Sequence, residues 1–253
     1  MKIAAQLYTL REFLQTPKEI EKTLKKVKKI GYDAVQVSGL GPIDPQELKD
    51  IVDKEGLSIC ATHIAFDRMK KDLEGVIRDH KLWNCKYVGL GSMPGEYRKD
   101  KESYIHFTKE ASEMARKLKE NGLQFVYHNH NFEFRKFGSK TGMDILFEES
   151  DLEVFDFELD TYWVQAGGAD PVEWIKKVAG RMKVVHFKDM MISSDIEQRF
   201  AEIGEGNLNW SRIIEACKEI GVEWCPVEQD LCYDRDPFES LVISYNNLKE
   251  MGL

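Results

Sequence analysis

The chain has 253 residues, 42% of them hydrophobic, and a formal net charge of −8. This length is enough to bury a large core within one domain, and the acidic balance argues against a nucleic-acid partner, whose phosphate backbone requires clustered Lys and Arg. The five cysteines form no CxxC pattern, as is typical of reduced thiols, and polar residues interrupt the N-terminus, so we expect a cytoplasmic protein with no membrane partner.

Four helix starts share one pattern, in which a capping residue precedes a proline and a glutamate stands three residues after the cap. The caps are Thr16, Asp44, Asp170 and Asp236. Four glycines are predicted to end helices, because each precedes a β-branched or aromatic run. These are Gly31, Gly56, Gly122 and Gly221. The repeating unit is therefore a helix, a glycine and a strand.

Eight short apolar runs are predicted to be strands. They cover residues 3–7, 34–38, 58–64, 87–90, 125–130, 154–160, 183–188 and 224–228. Because these strands alternate with helices and no linker interrupts them, the pattern predicts a single (β/α)8 TIM barrel, an α/β fold, over residues 1–253. A doubly wound open sheet is the alternative, but residues 6–11 contain no glycine-rich phosphate turn.

Polar residues follow several of the predicted strands, at the barrel face where active sites lie. They are Gln6, Tyr8, His63, His128, His130, Glu133, Asp160, Trp163, His186, Lys188, Asp189 and Glu228. Since side chains alternate along a strand, His128 and His130 can both face the interior. Asp156 and Glu158 share the parity of Asp160, so one of them could orient a ligand histidine. The pattern predicts a metal or catalytic centre.

The chain resembles the sugar phosphate isomerase/epimerase family of xylose isomerase-like TIM barrels, within the AP endonuclease family 2 superfamily. Six segments carry the resemblance in order: QLYTLR at 6–11, YHNHNFEF at 127–134, LDTYW at 159–163, VHFKD at 185–189, GEGN at 204–207 and VEQD at 227–230. The resemblance implies one divalent metal ion, usually held by Glu, Asp, His and Glu. The last three ligands fall on Asp160, His186 and Glu228.

The first ligand position departs from the family pattern, because His128 stands where relatives have a glutamate. Either His128 is the fourth ligand or Glu133 reaches in from the following loop, and we favour His128. Two imidazoles and two carboxylates suit Mn, Co, Fe or Zn better than Mg or Ca.

The resemblance implies a metal-dependent isomerase or epimerase that acts on a sugar or sugar phosphate by proton transfer beside a carbonyl, through an enediolate. A metal-bound His128 cannot exchange protons. Glu228 therefore remains as one base, and the second acid or base is Glu133, His130 or Lys188. The predicted substrate contacts are Gln6, Tyr8, His63, Trp163, Gln165 and Asn207.

Isomerisation or elimination needs less symmetry at the site than epimerisation does. A metal-dependent lyase, dehydratase or hydrolase acting on keto-inositols or 3-keto-glycosides is therefore the main alternative. DNA repair of the endonuclease IV type is disfavoured, because Trp163 replaces the second histidine of that group's Asp-x-x-His motif. A non-enzymatic sugar sensor is disfavoured because every metal position holds a ligand-type residue. Residues 204–206 suit either a turn or a phosphate loop. The sequence does not decide between a monomer and a homo-oligomer.

Overall fold

The computed structural model describes residues 1–253, which form a parallel barrel surrounded by helices. The strands are β1 (Lys2–Gln6), β2 (Ala34–Val37), β3 (Ser58–His63), β4 (Tyr87–Leu90), β5 (Gln124–His128), β6 (Lys136–Phe137), β7 (Lys140–Thr141), β8 (Phe155–Glu158), β9 (Asp189–Ile192), β10 (Gln198–Ala201) and β11 (Trp224–Val227). The α-helices are α1 (Pro17–Ile30), α2 (Pro45–Lys54), α3 (Phe66–Lys71), α4 (Leu73–Leu82), α5 (Lys101–Glu120), α6 (Gly142–Glu149), α7 (Thr161–Ala166), α8 (Pro171–Lys177), α9 (Trp210–Glu219) and α10 (Pro237–Glu250). Three 3₁₀ turns cover Leu7–Phe13, Gly95–Tyr97 and Phe132–Phe134.

The barrel closes through residues 183–188, which lie between β8 and β11. The continuous sheet has the order β11-β1-β2-β3-β4-β5-β8. Residues 183–188 complete the wall through parallel bridges, including Asp160 to His186 and Phe187 to Val227. The His186 N–H donates to the Leu159 carbonyl at 2.8 Å. The predicted (β/α)8 barrel is therefore confirmed, with its seventh wall segment bonded less regularly than the others.

The predicted helix ends are confirmed at all eight positions. Each predicted cap accepts a backbone N–H of its own first turn, as when Asp44 accepts from Gln46 at 2.8 Å. The four glycines all have positive φ, for example 66° at Gly56, a conformation that side chains with a Cβ rarely adopt. A full reciprocal capping box forms elsewhere, between Thr141 and Asp144.

The barrel interior is apolar near the start of the strands and polar near their ends. A small cluster that includes Ala4, Ala34 and Val126 fills the lower layer. The residues two positions later on these strands are Gln6, Gln36 and His128, which point to the same side because side chains alternate. A cluster of 62 buried residues packs the barrel against its helices. None of the helices combines the length and the hydropathy that a membrane span requires.

Candidate metal centre and active site

Four predicted ligands converge at the ends of neighbouring strands. His128 ends β5, Asp160 follows β8, His186 lies in the segment 183–188 and Glu228 follows β11. One ligand atom from each residue lies within 4.8 Å of the others, and all four residues are buried. His128 Nε2 is 3.3 Å from Asp160 Oδ2, and His186 Nδ1 is 3.2 Å from Glu228 Oε2. This cluster could hold a metal ion.

Both imidazoles are oriented by carbonyl oxygens outside the cluster. His128 Nδ1 lies 3.0 Å from the Gly91 carbonyl, and His186 Nε2 lies 2.6 Å from Gln36 Oε1. Because a carbonyl only accepts hydrogen bonds, each of these nitrogens carries its proton, and the other nitrogen faces the carboxylates. Two imidazole nitrogens and two carboxylates aimed at one point fit a divalent transition metal.

The electrostatics of the cluster favour a cation. Burial lowers the pKa of His186, but the carboxylates of Glu158 and Glu228 outweigh burial and raise it to about 10. For Asp160 burial acts in the opposite direction and raises the pKa. The Lys188 ammonium and the neighbouring histidines outweigh burial, so the pKa of Asp160 lies below its usual range. The carboxylates and the positively charged groups of this part of the barrel therefore stabilise each other's ionised forms.

Lys188 places an ammonium group among the carboxylates. Its side chain is 1% exposed, and Nζ lies 2.7 Å from Glu228 Oε2, 3.2 Å from Asp160 Oδ2 and 2.8 Å from Asp230 Oδ2. Burial lowers the pKa of Lys188, but these three carboxylates raise it to a net value above the usual range. Lys188 is therefore charged at neutral pH.

A layer of polar side chains beneath the cluster supports His186. The Glu158 carboxylate is fully buried and lies 2.7 Å from His63 Nε2, while Gln36 Nε2 donates to it at 2.9 Å. Glu158 Oε1 is also 3.5 Å from His186 Nε2. Glu158 is thus the orienting carboxylate that strand parity predicts, whereas Asp156 contacts Gln124 at the other end of β8. Sequence analysis missed Gln36, whose only signal is its position two residues after buried Ala34.

Gln6 orients Glu228 instead of lining the substrate cavity. Its Nε2 donates to Glu228 Oε1 at 3.0 Å, and its Oε1 accepts the Tyr8 N–H at 2.6 Å. Gln6 is fully buried. The hydrogen bond from Gln6 therefore fixes the rotamer of Glu228, whose carboxylate reaches the cavity. Gln6 is a positioning residue.

A cavity of about 400 Å³ opens above the cluster, within the usual range for small-ligand pockets. It is lined by Tyr8, Ser38, His63, Ile64, Ala65, Leu90, Gly91, Ser92, His128, His130, Lys188, Glu228 and Asp230. Tyr8 and His63 were predicted to contact substrate, and both line it. Sequence analysis did not single out Ser38, Ser92 or Asp230 as site residues, because their roles depend on how the loops fold over the barrel.

Glu133 does not reach the cluster or the cavity. The Tyr127 hydroxyl donates to its Oε1 at 2.6 Å, and the His130 N–H donates to its Oε2 at 2.9 Å. Tyr127 packs on Phe107 of α5, on the outward side of β5. Burial raises the pKa of Glu133 to about 8. Of the two alternatives for the fourth ligand, the fold therefore brings His128 to the centre, and Glu133 is held away from it.

His130 and Trp163 form one polar wall beside the cluster. Their rings lie 5.3 Å apart, and His130 Nδ1 and Trp163 Nε1 are buried without a hydrogen-bond partner. Burial lowers the pKa of His130 to about 2, so its imidazole is neutral at pH 7. A neutral imidazole suits hydrogen bonding better than proton donation.

Asp189 organises the loop at residues 204–208. Its carboxylate accepts the N–H groups of Gly204 at 2.9 Å, Gly206 at 3.1 Å and Leu208 at 3.2 Å. Because these amides are already bonded, residues 204–206 serve as a turn and not as a phosphate loop. Asn207 is exposed in this loop, and neither Asn207 nor Gln165 lines the cavity.

Comparisons with known proteins give both relatives and structural neighbours. An inosose dehydratase from Geobacillus kaustophilus (strain HTA426) is 24% identical over 197 residues, which cover 67% of this chain and 62% of that relative. The chain therefore matches less than two thirds of the length of that relative. An inosose dehydratase from Lacticaseibacillus casei is 24% identical over 262 aligned residues, covering 89% of this chain and 85% of that relative.

Two solved structures show the same fold. A sugar phosphate isomerase/epimerase from Parabacteroides distasonis ATCC 8503 superposes with a TM-score of 0.82 at 24% identity, over 98% of this chain and 93% of that chain. An L-ribulose 3-epimerase superposes with a TM-score of 0.76 at 17% identity, over 99% and 94% of the two chains. The model of the family described as xylose isomerase-like TIM barrel matches residues 24–231. The chain therefore belongs to the xylose isomerase-like TIM barrel family.

Proposed function

We propose that this chain is a divalent-metal-dependent sugar isomerase that moves a proton beside the carbonyl of its substrate. The observation that carries the proposal is the position of Glu228. Its carboxylate lines the cavity, accepts from Gln6 on one oxygen and contacts Lys188 on the other. Each carboxylate oxygen has a further lone pair, so Glu228 retains an acceptor for a substrate proton.

His128, Asp160, His186 and Glu228 would hold the metal ion. When bound, a divalent cation supplies Lewis-acid polarisation of the carbonyl and its neighbouring hydroxyl. The mixed nitrogen and oxygen donor set favours Mn, Co, Fe or Zn.

The residues of the chain then perform the proton transfers. Glu228 takes the proton from the carbon beside the carbonyl and returns it to the carbonyl carbon, through an enediolate, while the proton of the neighbouring hydroxyl passes to the former carbonyl oxygen. The Lys188 ammonium, 2.7 Å from Glu228 Oε2, lowers the pKa of Glu228 and so keeps this base ionised before the reaction. Because Glu133 is bonded to Tyr127 and His130, no second glutamate faces Glu228 across the cavity. This one-base arrangement supports isomerisation better than two-base epimerisation.

A second candidate function is a dehydratase acting on a keto-inositol, or a related lyase or hydrolase acting on a 3-keto-glycoside. The adjacency of Glu228 and Lys188, at 2.7 Å, favours it, because elimination requires a base for the carbon proton and an acid for the leaving group. Glu228 would take the proton, the carbon–oxygen bond would break, and Lys188 would give a proton to the departing hydroxyl to form water and regain one from Glu228, 2.7 Å away. The inosose dehydratase names of two curated relatives support this candidate.

Deuterium uptake from D₂O, followed by proton NMR, tests both candidates. The metal-loaded protein is incubated with ketoses, inositol ketones and 3-keto-glycosides. Exchange beside the carbonyl with an isomeric product supports the isomerase, and loss of water or of an aglycone supports the second candidate. Glu228→Gln should slow exchange by ~10²-fold or more, whereas Glu12→Gln, on the exposed surface, should not. Equal exchange by wild type and Glu228→Gln would refute the role of Glu228.

We also infer a reducing, cytosolic environment for the protein. All five cysteines are free, and Cys60, Cys85, Cys217 and Cys225 are buried. Such isolated buried thiols are typical of proteins that do not depend on disulfide bonds.

A further inference from the structure

The charged side chains around the cavity leave no net positive charge, even when a bound divalent metal ion is included in the sum. Asp160, Glu228 and Asp230 supply three carboxylates against the single ammonium of Lys188. A divalent cation would balance the remaining two negative charges. Glu158, directly below, adds another buried carboxylate. A substrate that carries a phosphate dianion would therefore introduce uncompensated negative charge.

The cations near the cavity are already engaged. Lys188 is the one Lys or Arg among the residues that line it, and its Nζ contacts three carboxylates. Arg11 donates to the carbonyls of Tyr8 at 3.0 Å and Asp230 at 2.9 Å. Arg98 donates to the Met93 carbonyl at 2.8 Å and its guanidinium stacks on Phe132 at 3.8 Å. Neither arginine lines the cavity, so neither offers a bidentate phosphate site there.

The remaining polar groups suit hydroxyls. Ser38, Ser92 and Tyr8 line the cavity with neutral hydroxyl groups. His130 Nδ1 and Trp163 Nε1 are buried polar atoms without partners in the adjoining wall. A buried polar atom that lacks a partner is costly, and a substrate hydroxyl that reached either atom would relieve that cost. These groups can exchange hydrogen bonds with a polyol without requiring it to be charged.

We propose that the substrate of this site is an uncharged polyhydroxylated ketone, a free sugar or an inositol ketone, and not its phosphate ester. The inference rests on the proposed function, which it narrows to unphosphorylated substrates. Like charges placed together in a binding site repel, so the phosphate ester should bind and react more weakly than the free compound.

The test compares matched pairs on the Mn²⁺-loaded full chain. D-fructose, D-tagatose and an inositol ketone are each compared with their phosphate ester, by deuterium exchange and by isothermal titration calorimetry. We expect kcat/KM for exchange to be at least ~10-fold higher for the free compound. An equal or higher value for the phosphate ester overturns the inference. Inorganic phosphate should not inhibit at millimolar concentration.

Calorimetry separates failure of the inference from failure of the proposed function. If no compound exchanges deuterium but a free ketone binds and its ester does not, the proposed reaction is refuted. The inference that the site takes an uncharged substrate is then retained. Tighter binding of the esters, or no binding of any free compound, overturns the inference. Asp230→Asn should narrow the preference for the free compound, whereas Asp53→Asn on the exposed face of α2 should leave it unchanged. An unchanged preference in Asp230→Asn also overturns it.

Discussion

Lys188 Nζ lies 2.7 Å from Glu228 Oε2, and this ammonium also lies 3.2 Å from Asp160 Oδ2. A protein cation therefore contacts two oxygens that a metal ion would also use. Asp230, 2.8 Å away, offers the ammonium a partner that the metal cluster does not need. Metal binding and the position of Lys188 are consequently linked.

Lys188→Met should increase the affinity for a divalent metal by ~10-fold or more, because it removes a positive charge that competes for the same carboxylates. The same change should lower the melting temperature of the metal-free protein, since buried carboxylates lose their partner. Titration calorimetry with Mn²⁺ and thermal unfolding measure the two effects. Lys183→Met, on a half-buried lysine that donates to the Gly221 carbonyl, is the control. Unchanged or weaker metal binding in Lys188→Met would contradict the competition.

Asp160→Ala and His186→Ala should each reduce bound metal from about one ion per chain to a small fraction of that, because each removes one of four ligands. Metal content after purification, measured by mass spectrometry, tests this directly. His106→Ala, a largely exposed helical histidine, should retain the wild-type content. Chelation should abolish deuterium exchange, and re-addition of Mn²⁺ should restore it. If both variants purify with wild-type metal content, the metal centre is located elsewhere.

Glu158→Gln should weaken metal binding by ~10- to 100-fold although all four ligands remain. The reason is that the substitution alters the contacts of residue 158 with Gln36 and His186, which orient the His186 ring. The glutamine amide places an N–H group where His63 or Gln36 now meets a carboxylate oxygen. The matched control is Asp156→Asn, two residues earlier on β8 and facing the far end of the barrel. A metal affinity equal to that of wild type would show that Glu158 has no part in orienting His186.

Glu133 should make stability fall as the pH rises. Burial raises its pKa from 4.5 to about 8 in the folded protein, so the folded state binds a proton more tightly than the unfolded state does. The stabilisation is complete below pH 4.5 and is lost as the pH rises through about 8, at up to about 1.4 kcal/mol per pH unit. Urea unfolding of wild type and Glu133→Gln between pH 5 and pH 8 (roughly this window) should show wild type losing more stability. Parallel pH profiles for the two proteins would mean that Glu133 remains ionised.

The folding pattern was predictable because its signals are local. A capping residue such as Asp44 bonds to N–H groups two or three residues away, and a glycine such as Gly56 adopts a backbone conformation set by its own φ. Side chains alternate between the two faces of a strand, so the sequence correctly predicted His128 on the inner side and Tyr127 on the outer side of β5. Hydrogen bonds of this range need no knowledge of the tertiary structure.

The sequence by itself determined the barrel, because its caps, glycines and strand runs are local signals, and its family resemblance indicated Asp160, His186 and Glu228 while leaving the fourth position between His128 and Glu133. Only the tertiary structure decided which neighbouring polar groups join them. Glu133 turns toward Tyr127, and Gln36 crosses the barrel to His186. Lys188 inserts its ammonium among carboxylates from two other strands. These contacts depend on rotamers and on distances between strands far apart in sequence, and spacing along the chain carries no information about either.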